Sequence, residues 1–290
     1  MRTLASTILP LALLLTVGVF AAGCADVGGG ASADVTVAVK SADTDTGGGG
    51  GTGGGGGNEE VVGEVGSFSG KVTVTGSVPE LAALVKKGDK AAKDAEVCAA
   101  DTVPNERLIV GKNKGVRDVF IYMDKVPKKL TKAPIPEEAL VFDQRVCTFL
   151  PHAMVVRVGQ PIKVWNSDAA AHNTHTKPSR NSEFNSVVKA EDRSGEVSFK
   201  YKKPEGNPIS VVCDFHSWMK AYHLPLNHPY AAVTKADGTF EIKGIPPGKY
   251  RFKIWHSGKY LARKVDVVIK PGSETKMDFS YAGDKLLAGK

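Results

Sequence analysis

From about residue 66 onward the chain is written in short alternating runs. Residues 71–75 read Lys-Val-Thr-Val-Thr, with an apolar side chain at every second position, the period of a half-buried strand. Val116 and the run Val119, Phe120, Ile121, Tyr122 and Met123 predict a strand over 116–123 that is buried on both faces. Further strands are predicted over 153–158 and 161–165, over 196–201 where Val197, Phe199 and Tyr201 alternate, and over 208–213. Residues 241–242, 250–255 and 264–270 complete the set. One helix is predicted over 79–97: Leu81, Leu84 and Val85 fall at helical spacing, Lys86, Lys87, Lys90 and Lys93 form a solvated face, and Gly88 is a point where it can break. Residues 125–136, with Pro127, Pro134 and Pro136, read as a loop. The pattern is that of an all-β protein with one short helix.

The first 65 residues do not share it. Arg2 precedes an apolar run from Ile8 to Ala22 that is too short for a retained membrane span and is followed by no basic stop, so 1–23 reads as a signal peptide. Residues 24–65 are rich in Gly, Ala, Ser, Asp and Thr, and 47–57 is glycine with a single threonine. Such a segment cannot offset its ordering entropy and predicts a flexible tether reaching about 35 Å. The remaining body suffices for one large or two small domains. The formal net charge is +7 and drops by one if Arg2 leaves with the leader. Lysines are spread along the body and are not interleaved with aromatics, which argues against nucleic acid; an acidic partner, or solubility alone, accounts for them.

The chemistry concentrates in one stretch, Val211-Val212-Cys213-Asp214-Phe215-His216-Ser217-Trp218-Met219. A thiolate, an imidazole and a thioether within seven residues can converge only if the loop wraps around one point. About forty residues upstream, the stretch from Trp165 to His175 can add a second imidazole, His172. Two histidines and a cysteine in a plane with a weak axial methionine are the donors of blue-copper electron-transfer centres. Singly, each residue reads more blandly: a buried small hydrophobe for Cys213, a structural ring for either histidine, a core side chain for Met219. It is the combination, in this order, that points to copper.

These residues resemble the cupredoxins. Cys-x-x-His-x-x-Met after an apolar strand, with His-Asn-x-His upstream after an Asn-x-Asp turn, has the spacing of the amicyanin ligand loop, and Phe149-x-Pro151 and 158–166 also fit. The match covers roughly 139–229. The resemblance implies a Greek-key β-sandwich, one type 1 copper held by His172, Cys213, His216 and Met219, and the backbone N–H of Asn173 directed at the Cys213 sulfur. His175 matches a histidine that is not a ligand. The resemblance also implies that the ring edge of His216 is exposed in an apolar patch, here furnished by Phe215, Trp218 and Pro225, through which electrons pass to a redox partner. Pro225, which cannot donate to a ladder, predicts that the last strand is short or lies at a sheet edge.

Two other resemblances frame this region. Ala21-Ala22-Gly23-Cys24 is similar to a bacterial lipobox, which implies cleavage before Cys24, lipidation of its sulfur and anchorage to a membrane of the cell envelope; ordinary cleavage nearby is the alternative. Residues 232–250, with Asp237-Gly238 and Pro246-Pro247-Gly248 turns, resemble the carboxypeptidase regulatory-like domain, a prealbumin-like β-sandwich whose first half matches Gly70-Lys71-Val72 and 118–122. The expected organisation is therefore a signal peptide (1–23), a lipidated linker (24–65), a discontinuous sandwich (66–137 and 230–282) and an inserted cupredoxin (138–229); a serial arrangement is the alternative. Cys98 and Cys147 remain, and in an exported chain two leftover cysteines most simply pair. Cys147 with His152 is a weaker candidate for a second metal site, and His223, His228 and His256 read as structural or surface residues.

The functional expectation is a membrane-anchored electron carrier of the periplasm or cell envelope, with a possibly acidic redox partner. The alternatives are copper storage or delivery, and a carbohydrate- or protein-binding module. An enzyme is not expected: there is no zinc-peptidase helix motif, no second histidine-rich copper site and no second cysteine near Cys213.

Overall fold

The computed structural model describes residues 64–287. The leader, Cys24 and the glycine-rich run lie outside the described residues. Two strands come first, β1 (Gly66–Thr75) and β2 (Phe120–Asp124), separated by a long segment that contains α1 (Ala95–Cys98). Nine follow: β3 (Leu140–Arg145), β4 (Thr148–Leu150), β5 (Ala153–Arg157), β6 (Ile162–Val164), β7 (His172–Lys177), β8 (Asn185–Val188), β9 (Ser198–Phe199), β10 (Ile209–Val212) and β11 (Lys220–Leu226). Six more are β12 (Ala231–Val233), β13 (Thr239–Ile245), β14 (Gly248–His256), β15 (Lys259–Ile269), β16 (Glu274–Lys276) and β17 (Phe279–Ala282), before α2 (Gly283–Leu287). The fold is all-β.

The pairing divides these strands into four sheets. β1 pairs with β13, β16 and β17 in one sheet, and β2 lies between β12 and β14 in a second that ends on β15. The middle strands form the other two, in the orders β5-β11-β10-β7-β8 and β4-β3-β6-β9. Three apolar seams separate the sheets. The first packs Phe68, Val72 and Val74 of β1 against Ile121, Met123 and Phe252. The last packs Phe142, Ile162 and Val164 against Val211, Met154 and Val156. Between them, Phe120, Tyr122 and Trp255 meet Ala153, Tyr222, Leu224 and Leu226.

The middle seam explains the unbroken apolar run in β2. Side chains alternate across a strand, so Ile121 and Met123 enter the first seam while Phe120 and Tyr122 enter the middle one. The same holds for β11, where Ala221 faces the last seam and Tyr222, Leu224 and Leu226 the middle one. The strand expected from residue 116 starts only at Phe120, because Asp118 has φ 64° and Val116 donates its N–H to Val72 O instead.

Two expectations are corrected. Residues 79–97 do not form a helix; only Ala95–Cys98 does. The apolar positions there are too sparse to hold a helix against a core, and the backbone finds its partners by docking: Leu84 N–H and Val103 N–H bond across to Val103 O and Val85 O, and Gly88, at φ 78°, turns the chain. Nor is the strand containing Pro225 short or at an edge, since β11 runs for seven residues between β10 and β5. A residue's N and C=O point to the same side of a strand. Pro225 O accepts from Glu205 N–H at 2.9 Å, so its missing N–H faces the flank where β10 has already ended, at the Ile209–His223 pair, and not β5.

Cys98 and Cys147 form a disulfide with Cα atoms 5.3 Å apart, closing a loop over a sequence separation of 49. By the chain-entropy argument such a loop contributes about 4 kcal/mol. Replacing both cysteines by serine is expected to lower the denaturation midpoint by a corresponding amount, measured by urea unfolding under non-reducing conditions.

Three buried histidines set the acid limit. Burial pushes His223 down to about 3, even with Tyr201 Oη 3.0 Å from its Nδ1, and it pushes His228, beside Arg157, and His256, beside His152 and Lys259, down to about 4. Their folded values lie below the unfolded value of about 6.5. Their stabilisation is complete above that pH and is lost as the pH falls towards 4. His152 and His172 are displaced upward, since their partners outweigh burial, and what they contribute is lost only as the pH rises above about 6.5, so neither alters the acid side. The melting temperature is expected to fall steadily between about pH 6.5 and pH 4, and His223→Gln should flatten that slope.

Candidate metal centre

The first imidazole is set by a turn and a strand. Asn166 opens the turn: its Nδ2 donates to Ala170 O and Lys189 O, each at 2.8 Å, and its Oδ1 accepts from Asp168 N–H. That geometry directs the Asp168 carboxylate inward, where it accepts from the backbone N–H groups of Val146 and Cys147 at 2.6 and 2.8 Å. Its Oδ2 also lies 2.9 Å from Nε2 of His172, the first residue of β7. A carboxylate is an acceptor, so the His172 proton sits on Nε2 and Nδ1 points the other way.

The second cluster of donors lies on the loop between β10 and β11. Cys213 follows β10, and the loop closes on itself through Met219 N–H to His216 O at 2.9 Å and Cys213 N–H to Met219 O at 3.3 Å. Asn173 ties the loop to β7: its Oδ1 accepts from Asp214 N–H, and its Nδ2 donates to Asp214 Oδ2, both at 2.7 Å.

The two parts bring His172, Cys213 and His216 together. Their donor atoms lie within 4.8 Å of one another and all three residues are buried. The two Nδ1 atoms are 2.9 Å apart, and Cys213 Sγ is 3.8 Å from His216 Nδ1. Met219 is buried in the same cluster. His216 repeats the arrangement of His172, since its Nε2 lies 2.8 Å from Oδ2 of Asp94.

Burial by itself would raise the Cys213 thiol, but hydrogen bonds from the His172 and His216 rings and from the Asn173 and His216 backbone N–H groups outweigh it and bring the group down to about 6. Burial would lower His172, but Asp168 and Cys213 outweigh it and bring the ring up to about 9. With both Nε2 protons held by carboxylates, the facing Nδ1 lone pairs need a cation between them. A metal about 2.0 Å from nitrogen and about 2.3 Å from sulfur fits among donors so spaced.

The surroundings differ from the expected docking patch. The His216 ring is fully buried. Its Trp218 neighbour, at 5.1 Å between ring centroids, packs against Val85, Ala99 and Val103 and donates Nε1–H to Cys147 O. Phe215 carries Lys93 Nζ over its ring at 5.0 Å. Pro225 is buried in β11, away from the loop. The segment 79–104 covers the edge that the sequence suggested was open, because the disulfide and the Val85–Val103 bridge dock it there.

His175, three residues along β7, falls on the opposite face of the strand and pairs with Asp214 and Glu183. Cys147 with His152 does not form a site, since Cys147 is in the disulfide and His152 lies 3.3 Å from Glu106. His223, His228 and His256 are all buried. Two carboxylates went unrecognised in the sequence. Asp168 carried a signal, the Asn-x-Asp turn four residues before His172. Asp94 carried none, being 122 residues from its partner.

One family model matches part of the chain, that of polysaccharide lyase family 4, domain II, over residues 206–277. No curated protein matches the chain. Among solved structures, a Cu-containing nitrite reductase from Thermus scotoductus SA-01 is 16% identical over 36% of this chain, with a TM-score of 0.28; the match spans 25% of the reductase. A reduced Cu(I) form of an amicyanin variant is 17% identical over 32% of this chain and 88% of its own, with a TM-score of 0.26. A second reduced amicyanin variant is 17% identical over 37% of this chain and 98% of its own, also at 0.26.

Proposed function

We propose that the chain is a copper protein of the cell envelope that carries single electrons. The observation that carries this reading is the buried meeting of two imidazole Nδ1 atoms and one low-pKa thiol, each imidazole fixed from behind by a carboxylate. One thiolate and two imidazoles, with the thioether of Met219 at the same core, match the donor set of a type 1 site. A bound copper would supply the one-electron couple. Cys213, His172 and His216 hold their places through strands and loop hydrogen bonds that do not depend on the metal, so little rearrangement accompanies a change of charge. Burial of all three keeps water from the site.

On this proposal 138–229 is the copper-binding unit, inserted in a sandwich made of 66–137 and 230–282. The pairing of β1 and β2 with strands beyond residue 230 supports that division. The leader and Cys24 make the chain an exported lipoprotein, tethered by its glycine-rich linker and meeting a redox partner protein. A second reading is favoured by the match over 206–277 to a polysaccharide lyase domain: the outer sandwich would bind carbohydrate beside the copper unit.

The purified chain is expected to take up one copper and, when oxidised, to show an intense visible band. Cys213→Ser should abolish the band and Met219→Leu should keep it while raising the reduction potential. Copper uptake without an intense band would exclude the type 1 reading and leave storage or delivery. Retention on immobilised acidic polysaccharide, unaffected by Cys213→Ser, would support the second reading for the outer sandwich.

A further inference from the structure

We propose that Asp94 is a positioning residue for the metal-binding imidazole of His216. The proposal deepens the copper reading and rests on it for the identity of the metal, but the geometry that carries it belongs to the protein alone. Asp94 Oδ2 lies 2.8 Å from His216 Nε2, across 122 residues of sequence. A carboxylate there takes the Nε2–H and leaves the Nδ1 lone pair for the metal. The acceptor also fixes the ring's orientation.

Three features show that the contact is built into the fold. Asp94 stands at the N-cap of α1, where its backbone O accepts from Val97 and Cys98 N–H at 2.9 and 2.8 Å. Aspartate in that position ordinarily turns its side chain to cap the helix. Here the carboxylate makes no such bond and reaches His216 instead. Its backbone is left-handed, φ 51° and ψ 46°, a conformation disfavoured for a residue with a Cβ. Finally, Cys98, the last residue of α1, is bonded to Cys147, whose N–H is held by the other carboxylate, Asp168. One disulfide thus anchors both outer partners of the two facing imidazoles.

The chemistry follows from charge. A carboxylate on the outer edge of His216 favours the more positive oxidation state of the metal, so it tunes the site towards a lower potential. It also closes the ring edge, so electrons enter or leave elsewhere than through an exposed His216.

The test compares wild type with Asp94→Ala, Asp94→Asn and Asp94→Glu in the full chain with its disulfide intact. Three measurements are made: ¹⁵N NMR of the histidine rings in the metal-free protein, Cu(I) affinity by chelator competition, and reduction potential of the copper-loaded form. Wild-type His216 is expected to carry its proton on Nε2. Asp94→Ala should populate the other tautomer, weaken Cu(I) binding by about ten- to a hundredfold and raise the potential. Asp94→Glu should restore part of both. Asp94→Asn keeps an acceptor and the shape, so its tautomer should hold while the potential rises; it decides the matter if the alanine variant does not fold. Unchanged tautomer, affinity and potential in all three variants would overturn the proposal with the copper reading intact. If wild type binds no copper, that reading fails, and the metal-free tautomer measurement still decides whether Asp94 orients His216.

Discussion

Two imidazole nitrogens face each other at 2.9 Å with a buried sulfur beside them, an arrangement that two neutral rings cannot hold if each carries its proton on the outer nitrogen. Lone pair would meet lone pair. A cation between them removes the conflict, and the outer protons must then be pinned so that the lone pairs stay inward. Asp168 and Asp94 supply the pins. The rest of the local architecture serves to bring these five groups to one point: the Asn166 turn aims Asp168, the Asn173 amide ties the cysteine loop to β7, and the disulfide docks α1 over His216.

The two carboxylates are not equivalent. Asp168 is buried, receives two backbone N–H groups and comes from the same turn as its histidine. Asp94 has a side chain 43% exposed and belongs to a segment from outside the strands that hold the ligands. Desolvation amplifies the first interaction, while solvent screens the second. The contribution of Asp94 is therefore one of direction and not of bulk stability. The covering segment has few apolar anchors of its own, Val85, Ala99 and Val103, and depends on Trp218 and the disulfide to stay in place.

The stack of four sheets gives the site its rigidity. The strand carrying the residues after Met219 is buried on both faces, with Ala221 against the last seam and Tyr222 and Leu224 against the middle one. A loop that ends in such a strand has little freedom, since displacing it would disturb two cores at once. The same double burial explains why Pro225 is tolerated within a sheet: its carbonyl finds Glu205, and the flank that lacks a donor has no strand to miss it.

What the sequence determined on its own was local. Strand positions followed from alternation, because neighbouring side chains on a strand take opposite faces whatever lies beyond them. The candidate ligand types followed from spacing, since Cys213, His216 and Met219 share one short loop. The pairing of Cys98 with Cys147 was the simplest use of two leftover cysteines. The tertiary structure alone decided the rest. A helix over 79–97 was plausible by spacing but lost to docking, because Val85 and Leu84 gain partners in Val103 that a lone helix could not offer. The open edge of His216 was implied by the family resemblance of the loop and is closed by Asp94, whose position depends on how the chain returns over the sheets. Periodicity acts over a few residues, and nothing within a few residues of Asp94 records that its carboxylate meets a ring 122 positions away.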